Sequence, residues 1–597
     1  MSIFSEDATK ILEKRYLLKD PAGRLIETPE QMLYRVARTA AAAEGKKDRA
    51  YWEEKFYKIM ADKRFLPNSP ALANAGRAKG QLAACFVLPV PDSIEGIFET
   101  MKRAALIHKT GGGTGFSFSG IRPKDDVVSS TGGVASGPVP FIAAYNCATD
   151  AIKQGGMRRG ANMAVLDYWH PDIMEFISSK EQEGALANFN ISVGADRKFM
   201  AEVERDGEIE FLNPRTGRPA GKKVRAGEIM DAIASAAWAN GEPGILFFDH
   251  INHTNSVPGC GPIRATNPCG EQPLQDYESC NLGSLNLLAY LKPLGSNRSG
   301  TPESGKNGIN FTERIDWGLL GQDITTAVRF LDNIIDVNYY VFPETEEITL
   351  GNRKIGLGVM GFADLLIELG IPYASEESLQ VIEGVMSFIG ERARTASALL
   401  GREKGSFPNI KKSIYRDREM RNATVTTIAP TGTLSMLADT SSGIEPLFGL
   451  SYIKEVLEGK QFAMTNRRFE AVARERGFWS EALQDEIGKK GSLGGIEGIP
   501  EDVRGVFATA FEIPAEWHVR IQAAFQKYVD NAVSKTVNFP HEAGTGDVRS
   551  VYMLAWKLGC KGITIYRTGS RINQVLRFKA KDRINGETPG DCRDCQG

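Results

Sequence analysis

The chain has 597 residues, of which 42% are hydrophobic and 24% are charged, and its formal net charge is -2. This composition is typical of a soluble globular protein, and the nearly balanced charge argues against binding to nucleic acid or to an anionic membrane surface. The N-terminus lacks an apolar signal segment and no apolar run is long enough to span a bilayer, so we expect a cytoplasmic protein. In a reducing cytosol the eight cysteines indicate redox, catalytic or metal-binding groups rather than structural disulfides.

The chain offers few positions for a domain boundary. A prior of about 150 residues per domain suggests roughly four domains. Only residues 293–308 and the tail 578–597 have the polar, Gly- and Pro-bearing composition of linkers, and there is no internal repeat. We therefore predict a helical segment over 1–60, one large catalytic body over 61–577 and a flexible C-terminal arm.

The predicted elements mix strands with helices. The apolar runs AVLDYW (164–169), GILFF (244–248) and ATVTTIAP (423–430) are typical of buried strands. Residues 377–405 have the apolar spacing of a long amphipathic helix that ends at a glycine. This mixture predicts an α/β fold.

Four polar segments could contact phosphate groups. LPNSPALANAG (66–76) and APTGTLS (429–435) offer hydroxyl and backbone N–H groups that could converge on an anion, although a turn or a helix N-cap explains each pattern equally well. The glycine-rich segments 108–123 and 153–163 carry basic residues and suit mobile loops near a nucleotide. Neither has Rossmann or P-loop spacing, so binding of those kinds is not supported.

Two cysteines lie close together in RATNPCGEQPLQDYESCNLGSLNL (264–287). Cys269 lies between a proline and a glycine, which predicts a loop or a strand end. Asn267 and Glu271 lie two positions to either side, and in extended backbone all three side chains share one face. A thiol beside an amide and a carboxylate indicates catalysis, while a small buried hydrophobic side chain is the alternative interpretation of Cys269.

The tail contains a second cysteine motif, in which Cys592 and Cys595 form a C-x-x-C pair. A zinc half-site is one interpretation, but no second C-x-x-C or nearby histidine completes four ligands. A dithiol that exchanges with a disulfide elsewhere in the protein is the interpretation we favour.

Several motifs in order resemble the catalytic chain of ribonucleotide reductases, most closely the adenosylcobalamin-dependent class II enzymes. They are NPCGE, ESCNLGSLNL, AACFVLPVPDSIEGIF, GGGTGFSFSGIRP, APTGTLS, SSGIEP and KGITIYRTGSR, and they run from about residue 12 to residue 574. The resemblance implies a ten-stranded α/β barrel of two five-stranded parallel halves arranged antiparallel, with a finger loop at its centre. It also implies reduction of ribonucleotides to 2′-deoxyribonucleotides for DNA synthesis.

The resemblance assigns roles to the cysteine motifs. Cys269 matches the thiyl radical that removes the 3′-hydrogen, Glu271 the base for the 3′-OH and Asn267 the amide that holds the sugar. Cys85 and Cys280 match the pair that supplies two electrons and becomes a disulfide, which requires Cα atoms within about 7 Å. The tail dithiol, Cys592 and Cys595, matches the reductant of that disulfide and is itself restored by a thioredoxin or glutaredoxin.

The resemblance also assigns two nucleotide sites. The residues that match the substrate site are Ser69, Ala84, Pro430, Thr431, Gly432, Thr433, Leu434 and Ser435. The residues that match a site for dNTP or ATP effectors at a homodimer interface are Asp92, Lys109, Arg122, Lys153, Gln154 and Arg158. Solvated surface charge is the alternative interpretation of the effector residues.

The radical source separates class II from its relatives. Class I enzymes use a second subunit and paired tyrosines, whereas KGITIYRTGSR has only Tyr566, and the tail lacks the glycyl-radical segment of class III. We therefore expect adenosylcobalamin as the cofactor and no radical-generating second subunit. No D-x-H-x-x-G motif is present, so we expect the corrin to hold the cobalt without a protein metal ligand. We expect no ATP cone before the barrel. The sequence does not decide between diphosphate and triphosphate substrates.

Overall fold

The computed structural model describes residues 3–128, 132–153, 160–293, 311–456, 460–570 and 576–577. The strands in chain order are β1 (Phe65–Pro67), β2 (Cys85–Val87), β3 (Gly113–Ser117), β4 (Val127–Val128), β5 (Gly133–Val134), β6 (Asn162–Asp167), β7 (Phe189–Ala195), β8 (Glu208–Asn213), β9 (Arg218–Arg225), β10 (Gly244–Phe247), β11 (Ala265–Thr266), β12 (Pro273–Leu274), β13 (Ser279–Asn286), β14 (Ile355–Met360), β15 (Ser451–Val456), β16 (Lys460–Thr465), β17 (Thr536–Phe539), β18 (Gly562–Arg567) and β19 (Leu576–Arg577).

The α-helices in chain order are α1 (Glu6–Arg15), α2 (Pro29–Ala41), α3 (Arg49–Ala61), α4 (Ser69–Asn74), α5 (Ile94–Lys109), α6 (Pro138–Lys153), α7 (Ile173–Ser178), α8 (Arg197–Glu204), α9 (Ala226–Asn240), α10 (Phe248–His253), α11 (Phe311–Arg314), α12 (Trp317–Val337), α13 (Pro343–Asn352), α14 (Phe362–Leu369), α15 (Glu376–Lys404), α16 (Leu434–Leu437), α17 (Arg467–Glu475), α18 (Glu481–Lys490), α19 (Glu501–Val506), α20 (Ala515–Gln526) and α21 (Thr545–Lys557). Short 3₁₀ turns are Pro258–Cys260, Leu287–Tyr290 and Pro408–Lys412. Among the described residues, no helix is long and apolar enough to cross a membrane.

The N-terminal segment is helical because its sequence caps and packs each helix. Ser5 caps α1, and Thr28 with Gln31 forms a capping box that begins α2. The apolar faces of α1, α2 and α3 join the largest core cluster, where Phe56 packs edge-on against Phe330 of α12. The N-terminal helices therefore pack on the barrel as part of its core.

The first half of the barrel is a parallel sheet in the order β2, β3, β6, β7 and β10. The segment that contains β6 and the one that contains β10 were both predicted as strands, and both predictions are confirmed. β3 has the sequence GTGFS, and its two glycines are typical of a strand that another backbone approaches closely. Helices between these strands make the crossovers that parallel pairing requires.

The second half contains β13 paired with β14 and β17 paired with β18, both parallel. Residues 424–428 connect these pairs through isolated parallel bridges, Leu357 with Thr426 and Ile428 with Val533. The two halves meet antiparallel at β13 with β2 and at β10 with β18. The ring is therefore closed, and the predicted ten-stranded α/β barrel of two antiparallel halves is confirmed, with residues 424–428 forming bridges instead of a continuous strand.

A two-stranded hairpin lies inside this ring. β11 and β12 pair antiparallel in the connection between β10 and β13, and we call residues 265–274 the finger. Its backbone touches the first half at β3, where a Cβ on Gly115 would overlap the carbonyl oxygen of Thr266. It touches the second half where Thr427 Oγ1 donates to the carbonyl oxygen of Glu271 at 2.8 Å. The barrel thus holds the finger from both sides.

The barrel interior has its own small apolar core. The cluster combines side chains from β2, β6, β10 and β13 with Ala265 and Leu274 of the finger. Two larger clusters cover the outside of the two halves. The polar tip of the finger therefore stands on an apolar base within the ring.

Candidate active site

The tip of the finger is a tight turn that fixes three polar side chains. Asn267 Oδ1 accepts from the backbone N–H of Gln272 at 3.0 Å, and the Asn267 carbonyl oxygen accepts from the N–H of Gly270, whose φ is 81°. Asn267 and Glu271 are each 3% exposed, whereas Cys269 between them is exposed. The turn thus presents one accessible thiol between a buried amide and a buried carboxyl group.

Cys85 and Cys280 lie directly opposite each other on the antiparallel strands β2 and β13. Opposed residues in such a ladder have Cα atoms about 4.5–5.5 Å apart, which is within the range of a disulfide. Both cysteines are thiols in this structure, and both are buried. The seam between the barrel halves therefore brings together two thiols that are far apart in sequence.

The finger and this thiol pair meet. Asn267 Nδ2 donates to Cys85 Sγ at 3.1 Å, and Cys85 Sγ lies 4.0 Å from Glu271 Oε1. The predicted catalytic side chains of Asn267, Glu271 and Cys85 thus meet at the barrel centre. Cys280 lies opposite Cys85 and is the fourth member of this group. The arrangement can pass protons and electrons between a bound molecule and two thiols.

Burial makes Cys280 a poor acid. Its Sγ lies 3.5 Å from the backbone oxygen of Lys354, to which the S–H donates. Burial raises the pKa of the Cys280 thiol well above its usual value, the carboxylate of Glu278 raises it further, and the ammonium of Lys354 opposes this. Cys280 is therefore held as a thiol that carries its proton at neutral pH.

A small cavity collects predicted phosphate residues. A volume of about 100 Å³ is lined by Ser69, Thr433, Arg15, Tyr16 and Lys109, among others. Tyr16 and Ser69 share a hydrogen bond between their hydroxyl oxygens at 2.9 Å, and Arg15 Nη1 donates to Thr433 Oγ1 at 3.2 Å. Two cations and three hydroxyl groups around one small space have the chemistry to bind an anion.

The loop that carries Thr433 is held by its own side chains. Thr431 has a φ of 53°, and its Oγ1 accepts from the backbone N–H of Gly443 at 2.7 Å. Ser435 shares a hydroxyl hydrogen bond with Ser442 at 2.9 Å. The other predicted substrate residues surround these in sequence or lie beside Cys85, namely Ala84, Pro430, Gly432 and Leu434.

The structure brings two of the predicted effector residues together and leaves a third apart. Arg122 Nε donates to the carboxylate of Asp92 at 2.9 Å, just before α5 begins. Lys109 ends the same 16-residue helix, about 24 Å away at 1.5 Å per residue, and lies at the phosphate cavity. One small ligand within a single chain therefore cannot contact both ends.

Most of the remaining predicted effector and tail residues lie outside the residues that the structure describes. Lys153 is the last residue of α6. Gln154, Arg158, Cys592 and Cys595 lie outside the described residues. Within the described ranges, no group of three His, Cys, Asp or Glu side chains is placed to hold a metal ion.

Sequence reasoning missed the cations and carboxylates that surround the predicted residues. Arg15 and Tyr16 reach the phosphate cavity from the N-terminal helix, and no local pattern indicates a contact with residues more than 400 positions later. Glu278 lies two positions before Cys280, in the cysteine-containing segment 264–287. The sequence does not show that its side chain is buried, which is the property that distinguishes it from a surface carboxylate.

An α/β barrel with an accessible thiol on its finger and an opposed thiol pair beside it defines a thiol-dependent redox enzyme. The family model for the ribonucleotide reductase barrel domain matches residues 83–420 and 416–566, and that for the ribonucleotide reductase all-alpha domain matches residues 3–80. The chain therefore belongs to the ribonucleotide reductase family.

Relatives cover nearly the whole chain. It is 46% identical to a vitamin B12-dependent ribonucleoside-diphosphate reductase of Thermoplasma acidophilum, over 96% of this chain and 80% of that protein. It is also 46% identical to the Mycobacterium tuberculosis protein of the same description, over 99% and 82%. The alpha subunit of the class Id ribonucleotide reductase of Actinobacillus ureae shares the fold, with a TM-score of 0.77 at 23% identity, over 95% of this chain and 98% of that one.

Proposed function

We propose that the chain is an adenosylcobalamin-dependent reductase that converts ribonucleoside diphosphates to 2′-deoxyribonucleotides through a thiyl radical on Cys269. The observation that carries this proposal is the convergence of Asn267 and Glu271 on Cys85, with Cys280 opposite. The relatives at 46% identity are described as vitamin B12-dependent ribonucleoside-diphosphate reductases, which supports both the cofactor and the diphosphate substrate.

The accessible thiol of Cys269 fits a cofactor that generates a radical. Its side chain is exposed at the finger tip, so a group bound over the barrel can reach it. Adenosylcobalamin, when bound, supplies the radical that converts this thiol to a thiyl. No protein ligand to the cobalt is part of the proposal.

The thiols and the carboxylate then account for the chemistry. Cys269 removes the 3′-hydrogen of the ribose and returns it at the end, so this thiol is not consumed. Glu271 accepts the 3′-OH proton and returns it when the 3′-carbon is reduced, and Asn267 holds the sugar hydroxyls. The 2′-C–O bond breaks, a C–H bond forms and water leaves. The two hydrogen atoms come from Cys85 and Cys280, whose sulfur atoms are oxidised to one disulfide.

The phosphate groups bind at the cavity beside the barrel. Ser69, Thr433 and the loop from Thr431 to Ser435 offer hydroxyl and N–H donors, and Arg15 and Lys109 add positive charge. Two cations beside one small cavity suit the charge of a diphosphate. We therefore infer that Lys109 binds the substrate rather than the effector, because it lines this cavity.

Effectors and reductants complete the proposal. We infer that dNTP or ATP effectors bind near Asp92 and Arg122 at a homodimer interface and act on substrate choice through the segment that contains Lys153, Gln154 and Arg158. We infer that Cys592 and Cys595 reduce the Cys85–Cys280 disulfide and are themselves reduced by a thioredoxin-like protein. No second radical-generating subunit is needed.

The proposal is tested by an assay of nucleotide reduction with adenosylcobalamin and dithiothreitol as the only additions. The wild-type chain should convert ribonucleoside diphosphates, and triphosphates more slowly. Cys269→Ser should abolish turnover, because serine cannot form the radical at this energy, while nucleotide binding persists.

Cys147→Ser is the matched control, because Cys147 is an exposed cysteine outside the site, and it should retain turnover. Turnover by the Cys269→Ser variant would refute the thiyl assignment. A wild-type chain that needs an iron- or manganese-containing partner instead of adenosylcobalamin would refute the cofactor.

A further inference from the structure

A buried ion pair lies next to the thiol of Cys280. Lys354 Nζ donates to Glu278 Oε2 at 2.7 Å, and the two side chains are 2% and 0% exposed. Glu278 precedes β13, which carries Cys280, and Lys354 precedes β14, which pairs with it. The pair therefore stands at the start of the two strands that bound the thiol.

The carboxylate of Glu278 is fully engaged. Besides Lys354, it accepts from Asn352 Nδ2 at 2.7 Å and from the backbone N–H of Gln275 at 2.9 Å. Gln275 directly follows the last strand of the finger. One carboxylate thus joins the base of the finger to the start of β14.

The backbone of the same two residues reaches the thiol pair. The Glu278 carbonyl oxygen accepts from the N–H of Val87 on β2 at 3.2 Å, two residues after Cys85. The Lys354 carbonyl oxygen accepts from the Cys280 S–H at 3.5 Å. The ion pair is therefore connected to both members of the thiol pair and to the finger.

We infer that Glu278 and Lys354 are positioning residues for the redox reaction, and that their balanced opposite charges set how readily Cys280 gives up its proton and exchanges with a disulfide. This inference rests on the proposed role of those two cysteines. Removing one charge from a buried pair leaves the other uncompensated. The titratable groups around Cys280 are Glu278, Lys354, Glu271 and Cys85, and Lys561 lies near Lys354.

The two single substitutions should act in opposite directions. In Glu278→Gln the remaining ammonium favours the Cys280 thiolate, which is the form that attacks a disulfide or an alkylating reagent. In Lys354→Met the remaining carboxylate disfavours the thiolate and slows this attack. Because Cys280 is mostly protonated, its rate of reaction follows the small fraction that is thiolate. In the double variant both charges are gone, and the rate should return close to the wild-type value. A residue that merely holds the fold together would not give shifts of opposite sign.

The rate is measured in full-length chains in which Cys592 and Cys595 are replaced by serine, so that the tail dithiol does not compete. The folded, reduced chains are treated with iodoacetamide for set times at neutral pH, quenched in acid and analysed by peptide mass spectrometry for modified Cys280. We expect each single substitution to change the rate of Cys280 modification about tenfold, in opposite directions.

Control variants separate the effect of charge from that of folding. Glu242→Gln breaks another buried ion pair, in which Lys180 Nζ donates to Glu242 Oε1 at 2.8 Å, in the other half of the barrel. This control should leave the rate of Cys280 modification unchanged. Lys354→Arg keeps the charge and should also keep the rate. If Glu278→Gln does not fold, Lys354→Met and Lys354→Arg still test the sign.

The outcomes distinguish the inference from the function on which it rests. A wild-type chain that never forms a Cys85–Cys280 disulfide, even after turnover, would refute the assigned redox pair. A disulfide that forms normally in chains whose Cys280 reacts faster in both single variants, slower in both, or at the wild-type rate would overturn the role of Glu278 and Lys354 alone.

Discussion

His108 is a buried residue whose hydrogen bonds fit only its neutral form. Thr114 Oγ1 donates its proton to Asn162 Oδ1 at 2.7 Å and therefore accepts from His108 Nε2 at 2.9 Å. Within the described part of the chain, His108 Nδ1 is buried without a hydrogen-bond partner. Burial accordingly lowers the pKa of His108 to about 4.

This low pKa predicts a loss of stability in acid. Above pH 6.5 His108 is neutral in both states, and as the pH falls from 6.5 to 4 only the unfolded chain takes up the proton, so folding becomes less favourable. His108→Gln should remove about 2–3 kcal/mol of the difference in unfolding free energy between pH 7.5 and pH 4.5. Urea denaturation at the two pH values measures it.

The control is His541→Gln, because His541 is exposed. This variant should show the same difference in unfolding free energy between pH 7.5 and pH 4.5 as the wild type. His170 and His518 are also buried with lowered pKa values, so part of the dependence should remain in the His108 variant. An unchanged dependence in that variant would contradict the assignment.

At the scale of elements, the finger and β3 require glycine where they touch. A side chain at Gly115 would overlap backbone atoms of Thr266, which cannot move aside as a flexible side chain can. On the opposite wall, a Cβ on Gly356 would lie 2.7 Å from the side-chain nitrogen Nε2 of Gln272. The finger is therefore packed closely on both sides, against backbone at β3 and through a side chain at β14.

Gly115→Ala should displace the finger and abolish nucleotide reduction, and it should lower the unfolding free energy by at least about 1–3 kcal/mol. Thermal unfolding and the reduction assay measure the two effects. Gly120→Ala is the matched control in the turn after β3, where an added Cβ meets nothing within 4 Å. Equal activity in the two variants would show that the finger tolerates the shift.

The helices and strands also show which features of the fold and of the site a local sequence pattern predicts. The long helix predicted over 377–405 is α15, because its apolar spacing is local and Ser375 and Gly405 mark its ends. The segment ATVTTIAP was predicted as a strand, but it forms only isolated bridges, because its backbone N–H groups partly bond to side chains. Asn267, Cys269 and Glu271 could be selected from their spacing, whereas Arg15 and Lys354 come from distant elements and leave no local pattern.

At the scale of the whole molecule, the carboxylate of Asp530 binds the segment 424–428, which joins the two strand pairs of the second half. Asp530 Oδ2 accepts from the backbone N–H of Val425 at 2.8 Å and of Thr426 at 3.3 Å. Its own N–H donates to Thr426 Oγ1 at 2.9 Å. Residues 424–428 also exchange backbone hydrogen bonds with β14 and with residues 531–534, so the bonds of Asp530 add to those that connect the two ends of the second half.

Asp530→Ala should lower the unfolding free energy by about 2–4 kcal/mol, because it leaves two N–H groups unsatisfied within the barrel. Arg394→Met is the control, since it removes only the partly exposed ion pair with Asp530 and should cost less than about 1 kcal/mol. Urea denaturation followed by circular dichroism compares them. Equal losses of unfolding free energy in the two variants would mean that the ion pair, and not the hydrogen bonds to the backbone, stabilises this connection.

The finger lies between β10 and β13 in the chain, so the first half of the barrel is made before the finger and before the strands that close the ring. β2 pairs with β3 on one side, but its other partner, β13, comes about two hundred residues later, and the outer partner of β10 is β18. During synthesis the first half therefore remains an open sheet with unpaired edges at β2 and β10. Such edges can pair with other strands, so we expect a chain interrupted before β13 to be prone to aggregate.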